Sequence, residues 1–208
     1  MLLILKNEEG GAAVGMEEYV YVLDYLPHGR PEDERPIYKK EPLVLAIGEK
    51  YLSLLELVPK RGVELKPHER VYIGKKERDK IDYIKRRISY EELSSAAKAE
   101  LPYVLEKLVR KDERRYVEFF NKAAPLTTRL HMLELLPGIG KKLMWEILEE
   151  RRKKPFESFE DISKRIKAIS DPAKLIVNRI IAELSEEDVK HGKRKYRIFV
   201  SAGKRRER

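Results

Sequence analysis

The stretch from Leu135 to Leu148, "LLPGIGKKLMWEIL", places a proline and two glycines between apolar residues that recur at helical spacing. Pro137 tends to end a helix, and Gly138 and Gly140 permit the backbone angles and the close approach that a short hairpin requires. The apolar pattern resumes after the second glycine and predicts a helix from Gly140 to Arg152. The stretch therefore predicts a tight turn between two helices.

The start of the second helix is chemically suited to hold a phosphate. Backbone N–H groups in a first helical turn have no internal acceptor, and the helix dipole favours an anion there. The amides of Gly138, Gly140 and Lys141 could hold a nucleic-acid phosphate oxygen, with charge from Lys141 or Lys142. The predicted phosphate-binding residues are Gly138, Ile139, Gly140, Lys141 and Lys142. A turn without a ligand is the alternative, and the spacing fits neither a Walker loop nor a dinucleotide fingerprint.

A longer segment, "LLPGIGKKLMWEILEERRKKPFESFEDI" (Leu135 to Ile162), resembles a helix-hairpin-helix motif. Proteins with this motif act in DNA uptake, repair and Holliday-junction processing, and they bind DNA non-specifically through the hairpin. The resemblance implies a second copy, and "AISDPAKLIVNRI" (Ala168 to Ile180) occupies its place. This copy has Ser170, Asp171 and Pro172 where glycines are expected, so we predict that it does not bind phosphate.

Other signals in the C-terminal half predict the remaining helices and one strand. Thr127 or Thr128 is expected to cap the helix that ends near Leu136, and Ser158 to cap a short helix. Ser170 or Asp171, with proline in the first turn, is expected to open a helix from Pro172 to Leu184. The segment "KYRIFVSAG" is predicted to be a strand that joins the N-terminal sheet or a small neighbour of its own.

The N-terminal half is rich in predicted strands. Segments with many β-branched and aromatic residues alternate with Pro- and Gly-containing breaks. Four short strands joined by turns predict a small β-barrel, closed so that its edges are hidden. The predicted strands are Tyr19 to Leu26, Leu43 to Gly48, Tyr51 to Val58 and Arg70 to Gly74.

Beyond Gly74 the spacing of apolar residues changes to a helical one. Ile81, Ile84 and Ile88 predict a helix over "KKERDKIDYIKRRI". A capping box at Ser89 predicts a further helical region that reaches Ala123, with a break at Pro102. The predicted fold is thus α+β, with an OB-like β-barrel and following helices (17–124), a helix-hairpin-helix domain (125–189), a basic strand and tail (190–208) and a poorly patterned extension (1–16).

Charge is distributed unevenly along the chain. The net charge of +9 divides into +1 for residues 1–125 and +8 for residues 126–208, and residues 190–208 hold nine basic residues and one acidic residue. This distribution indicates a polyanionic partner, with the solvated surface of a thermophilic protein as the alternative. The basic residues predicted to support binding are Lys75, Lys76, Arg78, Lys80, Lys85, Arg86, Arg87, Lys193, Arg194, Lys195, Arg197, Lys204, Arg205 and Arg206.

Composition argues against several classes of function. The chain has no cysteine, which excludes disulfides, thiolate nucleophiles and cysteine-ligated metals, and its four histidines lack metal-ligand spacing. Adjacent carboxylates are expected to be solvated. We therefore predict no catalytic residue, metal or cofactor. No apolar run is long enough to span a bilayer, so we expect a cytoplasmic protein without a membrane partner.

Aromatic residues offer candidate stacking platforms for bases. Tyr19, Tyr21 and Tyr25 are expected to share one face of the first strand, where they could stack on a single strand or be covered by helices. Trp145 is expected to lie in the core.

Together with "YVYVLDYLPHGRPEDERP" near the N-terminus, these features make the chain similar to a family of uncharacterised archaeal proteins, domain of unknown function 655. The resemblance implies an OB-like domain, a helix-hairpin-helix domain and nucleic-acid binding. Genome neighbours of that family imply RNA rather than DNA, and an association with the ribosome. Two alternatives stay open: a protein interaction module, and a DNA-repair or recombination accessory enzyme whose active site is not recognisable in the sequence.

Overall fold

The computed structural model describes residues 16–186 and 196–200, and these have the α+β fold that the sequence predicts. They divide into two compact units. The β unit holds residues 16–104, 183–186 and 196–200, and the helical unit holds residues 105–182.

The β unit is built on one antiparallel sheet of five strands. The strands are β1 (Tyr19–Leu26), β2 (Leu43–Gly48), β3 (Leu54–Pro59), β4 (Arg70–Tyr72) and β5 (Ile81–Arg87), in the order β4-β1-β2-β3-β5. Irregularities in β1 and in the β3–β5 pairing help to curl the sheet into a half-barrel. Among the described residues β4 and β5 are the two edge strands and do not pair with each other. The prediction of a curved antiparallel sheet is therefore confirmed, but the sheet is not closed into a barrel.

Both faces of the central strands are buried. Val20, Val22, Val44 and Leu57 belong to one core cluster on one face. On the other face Leu45 and Ile47 of β2 are also fully buried. Burial of all of β2 and of residues 20–23 in β1 explains why both strands are almost uninterrupted apolar runs, and both have the predicted limits.

The helix predicted over residues 75–88 is wrong, because β5 occupies half of this segment and residues 75–80 before it are not helical. In its pairing with β3, the register skips one residue after Ile81 and another after Ile84. Each skipped residue is a bulge that shifts the alternation of side chains by one. Ile81 and Ile84 therefore face the same core cluster although they are three residues apart, which resembles helical periodicity, whereas Ile88 follows β5 and is buried outside that cluster.

The helical region after β5 begins and continues differently from the prediction. Helix α1 (Ser95–Lys111) starts six residues beyond Ser89 and contains Pro102 without a break. The Ser94 hydroxyl oxygen accepts a hydrogen bond from the Ala97 amide at 3.0 Å and so caps this helix. Leu101 and Val104 are fully buried, and we infer that the burial of this apolar face offsets the loss of one backbone bond at the proline.

The helical unit continues with α2 (Glu113–Lys122), a 3-10 helix (Met132–Leu135), α3 (Lys141–Lys153), α4 (Phe159–Arg165) and α5, which spans Pro172–Ser185. The helix predicted to end near Leu136 is therefore a single 3-10 segment. Its cap is His131, not Thr127 or Thr128: the imidazole accepts from the Leu133 amide, and the Glu134 carboxylate accepts from the His131 amide. The other predicted helices are confirmed to within a residue or two.

The terminal strand predicted from Lys195 to Gly203 is wrong over Tyr196 to Val200, the part that the structure describes. These residues form bends and pair with no strand of the described sheet. The buried Glu183 carboxylate accepts hydrogen bonds from the amides of Ile198, Phe199 and Val200 at 2.9 to 3.0 Å. A carboxylate thus satisfies the donors that a neighbouring strand would have satisfied.

Candidate nucleic-acid interface

The hairpin before α3 is a tight turn with buried anchors. The Ile139 amide donates to the Leu136 carbonyl at 3.1 Å, and Gly138 has a φ of +88°. Proline followed by a glycine with positive φ is the signature of a type II turn. The anchoring side chains, Leu136 and Ile139, are 1% and 4% exposed, whereas Pro137 and Gly138 face solvent. The apolar anchors fix the turn, so its tip is presented in a defined orientation.

The first turn of α3 presents backbone donors with no internal acceptor. Gly140 is the N-cap residue, has an extended backbone and provides no capping side chain. The first helical bond runs from the Met144 amide to the Gly140 carbonyl at 2.9 Å. The amides of Gly140, Lys141 and Lys142 find no acceptor within residues 16–186 and 196–200. Ile139 is one of the predicted phosphate-binding residues, but its amide is bonded within the turn and is not available to a ligand.

Space and charge at this helix end both favour an anion. A Cβ atom built on Gly138 or Gly140 would meet nothing within 4 Å, so both glycines are open to an approaching group. Lys141 and Lys142 are exposed and form no ion pair with any acidic residue that the structure describes. Unpaired amides, the positive end of the helix dipole and two free ammonium groups therefore act in the same place.

The corresponding starts of α4 and α5 are capped by their own side chains. The Ser158 hydroxyl accepts from the Asp161 amide at 3.0 Å. In the predicted second copy, the Asp171 carboxylate accepts from the Lys174 amide at 3.2 Å and also contacts Arg110 at 3.2 Å. A negative charge and an internal cap are therefore present at the start of α5, and the absence of phosphate binding by this second copy stays a prediction.

Two arginines that sequence reasoning did not single out support the hairpin. Arg151 on α3 donates to the carbonyls of Phe120 and Ala123 at 3.0 and 2.9 Å, at the C-terminal end of α2. Burial lowers the pKa of Arg151 below its usual value. Arg179 on α5 is 2% exposed and donates to the Leu135 carbonyl at 3.4 Å, directly before the turn. Neither side chain is recognisable as a support from sequence spacing alone.

The prediction that Trp145 lies in the core is wrong. The side chain is 55% exposed on α3. Its neighbour Met144 is buried together with Ile147 and Leu148, so the apolar face of α3 leaves the indole outside. Helical geometry puts Trp145 one turn beyond Lys141 and Lys142, on the same side of the helix. The interface therefore includes an exposed aromatic ring.

The tyrosines of β1 are less suited to stacking than predicted. Tyr21 is only 3% exposed. The Arg70 guanidinium covers the ring of Tyr19, with its carbon 3.4 Å from the ring centre. A bulge between Val22 and Asp24 turns Tyr25 to the face of Val20 and Val22, where it packs against the core. The three rings thus do not form one platform, because the bulge breaks the alternation that the sequence suggested.

The predicted basic segment from Lys75 to Arg87 separates into two kinds of residue. Lys80 pairs with Glu69, Lys85 with Glu41 at 3.8 Å, and Arg86 with both Glu56 and Glu92. Lys75, Lys76 and Arg78, together with Lys60, line an open depression of about 250 Å³. Arg78 is held there by its bond to the Gly74 carbonyl at 3.0 Å, and Arg87 forms no ion pair with the described acids. The free positive charge of this segment is therefore concentrated at its start.

Much of the basic tail lies outside the described residues, namely Lys193, Arg194, Lys195, Lys204, Arg205 and Arg206. Arg197 is described and pairs with Glu186 at 3.1 Å. Within residues 16–186 and 196–200 there is no cluster of three or more side chains suited to a metal ion. No helix in that part of the chain is long and apolar enough to cross a membrane.

Comparison with known proteins places the chain in a family. Residues 16–201 match the family model described as a protein of unknown function, DUF655. The chain is 50% identical over 184 residues to the uncharacterised protein MJ0038 of Methanocaldococcus jannaschii, covering 88% of this chain and 80% of that protein. It also matches the crystal structure of Af1531 from Archaeoglobus fulgidus, with 52% identity and a TM-score of 0.79, over 89% of this chain and all of the other. The chain therefore belongs to the DUF655 family, which has archaeal members.

Proposed function

We propose that the protein binds nucleic acid through its phosphate backbone and that the hairpin before α3 is the main contact. In this proposal residues 132–153 act as a helix-hairpin-helix, in which the first helix is reduced to a 3-10 segment. The single observation that carries the proposal is the set of open, unbonded amides at Gly140, Lys141 and Lys142 beside two unpaired ammonium groups. Backbone amides and lysines recognise phosphate oxygens without reading bases.

The β unit is proposed to be OB-like and to add a second, weaker contact. Its curled antiparallel sheet is compatible with that fold, although β4 and β5 are not paired with each other among the described residues. The depression is lined by four basic residues, Lys60, Lys75, Lys76 and Arg78, and by one acidic residue, Asp82, so its net positive charge favours a phosphate. We place the contact of the β unit at this depression rather than on the tyrosines of β1, because Tyr21 is buried and Tyr19 is covered.

RNA is the favoured ligand in this proposal, in RNA metabolism or translation, and the protein acts without catalysis. That preference comes from the family resemblance and not from a contact. No segment of the sequence resembles a base-reading helix, so specificity is expected to come from shape and strandedness.

A charge reversal with a matched control tests the proposal. Lys141→Glu changes the sign of one of the two lysines beside the open amides, whereas Lys174→Glu makes the same change near the start of α5, where Asp171 already caps the helix. Affinity for a labelled oligouridylate is measured by fluorescence anisotropy over a range of salt concentrations. We expect Lys141→Glu to weaken binding to all sequences alike and to reduce the salt slope by about 1, as loss of one phosphate contact does. Equal effects of the two substitutions would contradict the proposal.

A further inference from the structure

Trp145 is an exposed aromatic side chain that contributes little to the packing of the helical unit. It is the single tryptophan of the chain and is 55% exposed, although α3 buries Met144, Ile147 and Leu148 immediately around it. The ring contacts no other aromatic ring and no cation in the part of the chain that the structure describes. A large apolar surface is therefore left in water beside a face that could have buried it.

The surroundings of the ring limit what could cover it. Lys142 and Lys141 lie three and four residues before Trp145, so both ammonium groups lie on the same side of α3, next to the open amides. The exposed residues that follow on this side are acidic: Glu146 lies four residues after Lys142, and Glu149 lies four residues after Trp145. Positive charge thus borders the indole at its N-terminal end and negative charge at the other end. An acidic helix of a protein would be repelled by Glu149, whereas a nucleotide can place its phosphate at the lysines and its base over the ring.

We infer that Trp145 stacks on an unpaired base of the nucleic acid whose phosphate lies at the α3 amides, so that the hairpin prefers single-stranded or locally opened RNA to a continuous duplex. This inference rests on the proposed function and adds its substrate class. In a duplex both faces of each base are already stacked, so the indole can gain this contact only from an unpaired or terminal base. Stacking is tolerant of sequence because every base has a π-face.

The test uses the full-length protein and two probes, a labelled oligouridylate of about 16 nucleotides, which matches the larger site sizes of single-strand binders, and an RNA duplex of the same length. Fluorescence of the single tryptophan reports stacking, and anisotropy of the label reports binding independently. Trp145→Ala removes the ring, Trp145→Phe keeps an aromatic ring, and Tyr103→Ala removes an aromatic residue that is 64% exposed on α1. Circular dichroism melts establish that each variant is folded.

The expected result is a saturable decrease of tryptophan fluorescence with the same midpoint as the anisotropy. Trp145→Ala should weaken single-strand binding about 5- to 150-fold, the cost of losing one stacked base. Duplex binding should change little, Trp145→Phe should retain most of the single-strand affinity, and Tyr103→Ala all of it.

Three other outcomes show whether the inference fails alone or together with the proposed function. If oligouridylate binds the wild-type protein without changing its fluorescence, or if Trp145→Ala affects single strand and duplex equally, stacking is overturned while phosphate binding stands. If wild-type protein binds neither probe, both are overturned. Binding that Lys141→Glu weakens but Trp145→Ala does not would likewise leave the hairpin in place and remove the tryptophan from the site.

Discussion

Gly140→Asp is expected to stabilise the helical unit and to weaken nucleic-acid binding. Gly140 already has the extended backbone of an N-cap, and a Cβ atom there meets nothing within 4 Å, so the aspartate enters without strain. Its carboxylate can accept hydrogen bonds from the amides of Lys142 or Leu143. The substitution thus supplies the cap that α4 has in Ser158 and α5 has in Asp171.

The size of the stabilisation follows from three contributions. Replacing glycine by a capping residue contributes a few tenths of a kcal/mol. A residue with a Cβ atom lowers the conformational entropy of the unfolded chain relative to glycine, which adds about 0.4–1 kcal/mol to the free energy of unfolding. A negative charge at the helix N-terminus adds about 0.3–1 kcal/mol to it. The total of about 1–2 kcal/mol raises the Tm of a unit of this size by about 4–8 °C for each kcal/mol. Differential scanning calorimetry measures this shift.

Binding should change in the opposite direction. The new carboxylate occupies the amides and repels a phosphate, and a hydrogen bond to a charged group contributes about 1.5–3 kcal/mol. We therefore expect about 10- to 150-fold weaker binding to oligouridylate. Gly140→Ser caps without a charge and should lose less affinity, while Gly140→Ala neither caps nor repels and should retain it. Gly140→Asp with a higher Tm and unchanged affinity would refute the assignment of these amides to the ligand.

Three further predictions concern stability. Ser158→Ala removes the cap of α4 and should lower the free energy of unfolding by about 1 kcal/mol in urea titrations; an unchanged midpoint would show that the cap contributes nothing. Glu183→Ala should accelerate hydrogen exchange at the amides of Ile198, Phe199 and Val200, which it now binds, and unchanged protection would contradict that role. Burial raises the pKa of Glu17, so its stabilising contribution is present below the unfolded value of about 4.3 and is lost as pH rises through the folded value. Over that window, wild-type protein should lose stability relative to Glu17→Gln, and parallel pH profiles would argue against the raised pKa.

Sequence signals near an element's ends were sufficient to predict the limits of some strands and the starts of some helices. The limits of β1 and β2 could be predicted because both strands are buried on both faces and end at turn residues. The start of α3 could be predicted because Gly140 and the resumed apolar spacing mark it in the sequence. The start of α5 was recognisable from Asp171 and Pro172. In each of these cases the deciding interaction lies within a few residues of the boundary.

Elements that depend on partners distant in the sequence could not be predicted in this way. The bulges in β5 exist only in its pairing with β3, and the one between Ile81 and Ile84 puts both isoleucines on the same face at a helical spacing. The bulge in β1 likewise moves Tyr25 to the opposite face. The exposure of Trp145 depends on which side of α3 the helical unit covers, and spacing alone does not specify that side.

The most direct test of the central claim is an NMR titration of 15N-labelled protein with oligouridylate. It follows the backbone amides of the hairpin while anisotropy measures saturation. We predict that the amide signals of Gly140, Lys141 and Lys142 shift most within residues 105–182, and that the Lys174 amide, which Asp171 already binds, shifts little. Saturated binding with the Gly140, Lys141 and Lys142 signals unmoved would contradict it.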